Sequence, residues 1–220
     1  WFEQIAGLPA DIDIASEFRY RDPVLSPASM AVFVSQSGET ADTLAALRHV
    51  REAVAKVVAV VNVPTSSIAR ESDLALPIMA GVEVGVASTK AFTCQLTTLA
   101  LMALKAARDR GRIDAAGLAA RLESLRALPG LMNAALGLSD AIASVAKDLA
   151  KAQDILFLGR GPMFPLALEG ALKLKEISYI HAEGYASGEL KHGPIALIDA
   201  AVPVIVLAPK DGLFDKTVSN

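Results

Sequence analysis

Glu169, Lys173 and Glu176 stand at i, i+4 and i+7 in the segment LALEGALKLKEISYIHAEGYASGELKHGPI, which runs from Leu166 to Ile195. His192 follows in a loop flanked by Gly193 and Pro194. At helical spacing the three charged residues share one face. Two carboxylates, an amine and an imidazole suffice for moving protons near neutrality. A carboxylate beside a lysine is a tunable base, and an imidazole both takes and gives a proton. On a generic surface such a series is a salt-bridge ladder worth little energetically. Here the neighbours are Leu, Ala and Ile, so the helix is expected to be largely buried, where unpaired charge is costly. His181 is expected on a helix with Tyr179 and Glu183, in a structural role. His49 is expected on a solvated helix face.

A second set is Ser35-Gln36-Ser37-Gly38-Glu39-Thr40, between an apolar run and a helical one. Hydroxyls and an amide converge where helix N–H groups are unsatisfied and the dipole is positive, which suits a phosphate monoester. The loop has neither a Walker pattern nor a GxGxxG fingerprint, so no Mg²⁺ or nucleotide is expected. A simple capping box is the alternative, although the hydroxyls exceed what a cap needs. A third loop, Glu83 to Lys90, also precedes a helix. Ser88 or Thr89 can cap that helix. Lys90 in its first turn opposes the dipole and hints at an anion or carboxylate partner. The three histidines show no metal spacing, so no metal is expected.

The elements that must position these residues alternate β-rich and Ala/Leu-rich runs. MAVFVSQS, KVVAVVNV and LALPIM read as strands, GETADTLAALRHVREAV as a helix, and SSIARESD as a short helix or turn. TKAFTCQLTTLALMALKAARDRG reads as a long helix closed near Gly111. This order predicts a doubly wound parallel sheet sandwiched by helices. Continuous rather than alternating apolar strands place helices on both faces. From Ile113 to Ala150 the strand signal vanishes, and a helical connector broken at Pro129–Gly130 is expected. DILFLG, the Arg160-Gly161-Pro162 loop, the charged helix and AVPVIVLAP then repeat the α/β unit. The expected layout is a first subdomain over 1–112, the connector over 113–150 and a second, incomplete subdomain over 151–220. WFEQIAGLP reads as the end of a helix and DGLFDKTVSN as the start of one, so both ends are expected to be truncated.

Composition narrows the classes. Hydrophobic residues make up 53% of the 220 and the net charge is −3. With aromatics at 5% and no basic cluster, no nucleic-acid partner is expected. No apolar run reaches about 18 residues, so no membrane span is expected, and the N-terminus is not a signal peptide. The single Cys94 cannot form an internal disulfide and reads as a core thiol, in keeping with a cytoplasmic location.

SQSGETADTL and EVGVASTKAF closely resemble the first half of a sugar-isomerase (SIS) domain, and ALEGALKLKEISYIHAE with GELKHGPIALID the second. WFEQIAGLPADIDIASEFRYRDPVL further resembles one branch of that family, which turns a ketose phosphate and ammonia into an aldose amine. The resemblance covers nearly the whole chain. It implies conversion of fructose-6-phosphate plus ammonia to glucosamine-6-phosphate, with no cofactor. Ser35, Gln36, Ser37 and Thr40 would hold the sugar phosphate, and Val86 and Ser88 would touch the sugar chain. Glu176 would shuttle the proton between C1 and C2. His192 would open the sugar ring, reaching in from the neighbouring subunit of a homodimer. Lys173 and Glu169 would support the relay. A non-catalytic sugar-phosphate sensor would need the Ser loop but not Glu176 and His192. A related deglycase or deaminase would keep a base but alter the ELKHGP neighbourhood.

The branch also carries a glutaminase domain, a Ser/Thr loop just upstream of the Trp1 position, and a C-terminal lysine for a Schiff base. None has a counterpart in these residues. The 220 residues alone are therefore expected to bind sugar phosphates weakly and to turn over poorly. Full isomerase activity in a coupled assay would overturn that expectation.

Overall fold

The computed structural model describes residues 1–219. A single π turn, Phe2–Ala6, precedes α1 (Ala15–Phe18), β1 (Met30–Ser35), α2 (Ala41–Val50) and β2 (Lys56–Val61). Then come α3 (Ser67–Arg70), β3 (Leu74–Pro77), α4 (Lys90–Asp109), α5 (Ala115–Leu136) and α6 (Ser139–Leu149). The remainder is β4 (Asp154–Gly159), α7 (Met163–Ser178), β5 (His181–Ala186), the 3₁₀ turns Ser187–His192 and Pro194–Leu197, β6 (Val204–Leu207) and α8 (Phe214–Val218). The chain divides into two compact units, Trp1–Leu128 and Pro129–Asn220. Each holds a three-stranded parallel sheet flanked by helices among the described residues, which is the expected α/β class.

In the first unit the strand order is β1-β2-β3. Ser35 pairs in register with Val61, and Val61 with Pro77, so the three strands end along one line. The central strand is buried from Val57 to Val61. Val57, Ala59 and Val61 pack with Leu47 and Val50 of α2 and Ile68 of α3. Val60 packs on the other face with Ile78 and with Ala91 of α4. Burial on both faces is why the run KVVAVV does not alternate.

In the second unit the order is β5-β4-β6. Ile155 and Phe157 of β4 pack with Ala167 and Ala171 of α7 and Ala182 of β5. The chain leaves β4 through α7 for one side and later returns to the other. The strand order therefore switches at the C-terminal end of β4, the place where open α/β sheets form a crevice.

Several expectations need correction. His181 does not lie on a helix; it opens β5. The helix stops at Ser178, and Tyr179 adopts a left-handed conformation at φ 62°. Ala182 and Gly184 of β5 lie against α7, and a Cβ on Gly184 would come within 2.8 Å of the Leu168 Cα. Small residues are poor strand formers, but only they allow so close an approach, and this hid the strand. The helix at 113–150 is not broken at Pro129–Gly130: α5 runs through Pro129, and the break falls at Gly137–Leu138. Proline denies the Leu125 carbonyl its partner, but α5 buries no residue, so water can take that place. The α7 helix is less buried than its composition suggests. Ala167 and Ala171 are its buried residues, while Leu168, Leu172 and Ile177 are exposed. His49 is exposed on α2, as expected, and in addition its Nε2 lies 2.8 Å from the Arg21 carbonyl and its ring sits edge-on to Phe18 at 6.3 Å.

Leu47 is fully buried under the first sheet. Leu47→Ala is expected to destabilise the first unit by about 2–5 kcal/mol, read as a lower urea midpoint.

Candidate functional site

The Ser35–Thr40 loop lies where β1 gives way to α2. Ser35 is 7% exposed, and its hydroxyl accepts the Gly38 N–H at 3.1 Å and bonds the Thr40 hydroxyl at 3.1 Å. Ser35 thus closes the turn from inside. Ser37 Oγ accepts the Glu39 N–H at 3.2 Å. Gly38 sits at φ +68°, and a Cβ there would fall 2.0 Å from Ser66 Oγ, so any larger residue is excluded twice over. Gln36 and Ser37 are half-buried and Thr40 is exposed at the N-terminus of α2, where it makes no side-chain cap. The loop therefore keeps an uncapped helix end beside hydroxyls, an anion-ready arrangement.

Glu39 caps a different helix from the one it precedes. Its Oε1 accepts the Ser67 N–H, at 2.7 Å, at the start of α3. Hydrogen bonding by the Ser67 hydroxyl, and then by its backbone N–H, holds the Glu39 carboxyl below the ordinary carboxylate range. A carboxylate also meets the start of α4, where Glu83 Oε1 accepts the Thr89 N–H at 3.2 Å and Ser88 Oγ lies 3.2 Å from Oε2. The anion anticipated at this helix end is thus Glu83, while the Lys90 ammonium donates to the Val82 carbonyl. Val86 lies 93% exposed on the loop between them. Asn62, at the end of β2, ties this loop down by donating to the Gly81 carbonyl at 2.7 Å and accepting the Ala80 N–H at 3.0 Å. Gln36, Asn62, Met79 and Glu83 help line an open cleft of about 490 Å³ at the strand ends.

In the second unit, α7 brings its three charged residues together as their spacing requires. Lys173 Nζ lies 2.5 Å from Glu176 Oε2 and 3.7 Å from Glu169 Oε1. The three side chains are 21–27% exposed, shielded from bulk water but reachable. The ammonium thus sits between the two carboxylates on one face of α7. His192 ends the 3₁₀ turn Ser187–His192, and its Nδ1 lies 2.8 Å from Glu189 Oε2. His181 is placed apart from these, at the opposite end of β5. Its Nδ1 lies 2.8 Å from Asp154 Oδ1 on the neighbouring strand. The Tyr185 hydroxyl donates to Glu183, and this bond pushes the phenol pKa above its usual value.

Sequence reasoning passed over Glu83, Asn62 and Glu189. Glu83 stands five residues before Ser88 and Glu189 three before His192. Neither spacing signals a contact until the intervening backbone is known to turn.

The sequence pattern of the SIS domain matches residues 1–105 and 148–220. The chain belongs to the SIS domain family. Its second SIS segment contains both α7 and the Glu189–His192 turn, and its first contains all three strand-end loops of the first unit. This SIS chain is 63% identical over 220 residues to the glutamine–fructose-6-phosphate aminotransferase (isomerizing) of Brucella abortus biovar 1 (strain 9-941). It is 60% identical over 220 residues to that of Zymomonas mobilis subsp. mobilis (strain ATCC 31821 / ZM4 / CP4). All of the chain aligns in both cases, and it spans 36% of the length of each relative. Among solved structures, the C-terminal domain of glucosamine-fructose-6-phosphate aminotransferase from Francisella tularensis matches with a TM-score of 0.97 at 48% identity. That match covers 100% of this chain and 62% of the other.

The lowered pKa of Glu39 gives the SIS loop an acid dependence. A carboxyl with a depressed folded-state pKa adds stability that is fully present above its unfolded value, about 4.3. The gain is lost as pH falls through the folded value. Glu39→Gln is expected to lose less stability than the parent between pH 5 and pH 3. Equal losses in urea unfolding at the two pH values would show that this carboxylate is not linked to folding.

Proposed function

We propose that this chain carries the isomerase chemistry of a glutamine–fructose-6-phosphate aminotransferase, converting fructose-6-phosphate and ammonia to glucosamine-6-phosphate. The observation that carries the reading is Lys173 held between Glu169 and Glu176 on one face of α7. The high identity to the Brucella and Zymomonas enzymes supports it.

Moving a proton between adjacent carbons of a sugar needs a positioned base and stabilisation of the oxygen that gains charge. In this reading Glu176 takes the proton from C1 or C2 and returns it to the other. Lys173, beside it, offsets the negative charge on the enediol oxygen. Glu169 holds Lys173 from the other side. His192 opens the sugar ring, and in a homodimer it would serve the neighbouring subunit. Gln36, Ser37 and Thr40, with the N–H groups at the start of α2, hold the phosphate. Ser35 acts by shaping their loop. Val86 and Ser88 touch the sugar chain, Ser88 with its hydroxyl steadied by Glu83. Residues 1–112 and 151–220 then act as two SIS subdomains joined by a helical connector over 113–150. Ammonia would come from a glutaminase domain of the longer protein, in the cytoplasm. Among the described residues no single helix is long and apolar enough to cross a membrane.

Glu176→Gln keeps size and hydrogen bonding but cannot take a proton. It is expected to lower fructose-6-phosphate isomerisation by roughly 10²–10⁴-fold while leaving binding unchanged by calorimetric titration. Retained turnover would remove Glu176 from the role of base. A longer protein carrying the glutaminase domain that binds fructose-6-phosphate without turning it over would favour a sensor.

A further inference from the structure

The pair Glu189–His192 has no part in holding the fold together. Their side chains are 65% and 71% exposed, and a polar contact so open to water contributes little to stability. The backbone nevertheless places them in contact. Ser187–His192 is a 3₁₀ turn, and with three residues per turn i and i+3 eclipse. Ser187 and Leu190, which are 1% and 5% exposed, root the turn in the protein. Glu189 and His192 stand out from it together, with 2.8 Å between Glu189 Oε2 and His192 Nδ1. Gly193 then adopts φ 141°, ψ −52°, a conformation closed to side-chain-bearing residues, and Pro194 opens the next 3₁₀ turn. The peptide that carries the ring is thus fixed on both sides. The ring's own rotation is fixed by the carboxylate alone, and Nε2 has no protein partner among the described residues.

We propose that Glu189 is a positioning residue for His192. It accepts Nδ1–H and so selects the tautomer in which Nε2 is unprotonated and faces outward. In a neutral imidazole, the hydrogen bond made by one nitrogen decides which nitrogen carries the proton. A carboxylate at Nδ1 leaves Nε2 as a proton acceptor, the same division of labour that a buried Asp imposes on a catalytic His. This rests on the reading that His192 opens the sugar ring. Nε2 takes the proton of the hemiketal hydroxyl, the ring C–O bond breaks as the carbonyl forms, and the same proton is returned to the ring oxygen. Without Glu189 the ring is free to turn and to carry its proton on Nε2, where it cannot begin that step.

The test is nitrogen NMR of ¹⁵N-histidine-labelled protein at alkaline pH, where the ring is neutral. In the parent, His192 Nδ1 is expected in the protonated range and Nε2 in the unprotonated range. Glu189→Gln keeps a carbonyl acceptor and is expected to keep that pattern. Glu189→Ala is expected to lose it, with protonation moving to Nε2. Both positions are exposed, and an unchanged amide spectrum outside the turn checks that the variants fold. The same tautomer in all three proteins, or Nε2–H in the parent, would overturn the proposal. Fructose-6-phosphate added to the parent tests the underlying reading separately, because amide shifts at Ser37 to Thr40 report phosphate binding whatever the tautomer. No such shifts would overturn the sugar-phosphate reading and leave the tautomer result standing.

Discussion

A parallel sheet delivers all its strands to the same edge, and that constraint organises everything else in this chain. Every strand that ends there must be followed by a loop, and most such loops open a helix whose first N–H groups lack partners. β1, β2 and β3 finish in register, so the Ser35–Thr40 loop, Asn62 and the segment after β3 meet along one line. β4 and β5 do the same for the second sheet, with Gly159 beside Ala186. Chemistry accumulates at these ends because backbone geometry collects loops and positive helix ends there.

How each helix end is satisfied separates structure from function. At α3 and α4 the chain brings its own carboxylate, Glu39 and Glu83 respectively. At α2 it brings hydroxyls, the Asp42 carboxylate of the first turn is paired with Arg19 at 2.7 Å, and Thr40 leaves the end uncapped. A helix end that holds its own anion has no room for another, whereas one lined with neutral donors does. The Ser-rich loop is therefore distinguished less by its serines than by the absence of a carboxylate turned back upon its own helix.

Much of this was legible in the residues. Apolar runs marked β2 and β4 because burial on both faces leaves no alternation, and β1 because its run is apolar although Val34 stays exposed. The i, i+4, i+7 spacing placed Glu169, Lys173 and Glu176 in contact because helical geometry alone decides that contact. What the sequence hid depends on tertiary packing. β5 is written in Ala and Gly because it must lie against α7, and a small-residue run carries no strand signal. Pro129 reads as a break, but an exposed helix tolerates it. Glu83 and Glu189 reach their partners across turns whose path no local pattern announces.

The 3₁₀ geometry of the Ser187–His192 turn has one more consequence. In a helix of three residues per turn, adding or removing a single residue rotates everything beyond it by about 120°. An insertion between Glu189 and His192 would leave both residues in the chain and point them in different directions. The interval between those two letters is thus as much a part of the loop's content as the letters themselves.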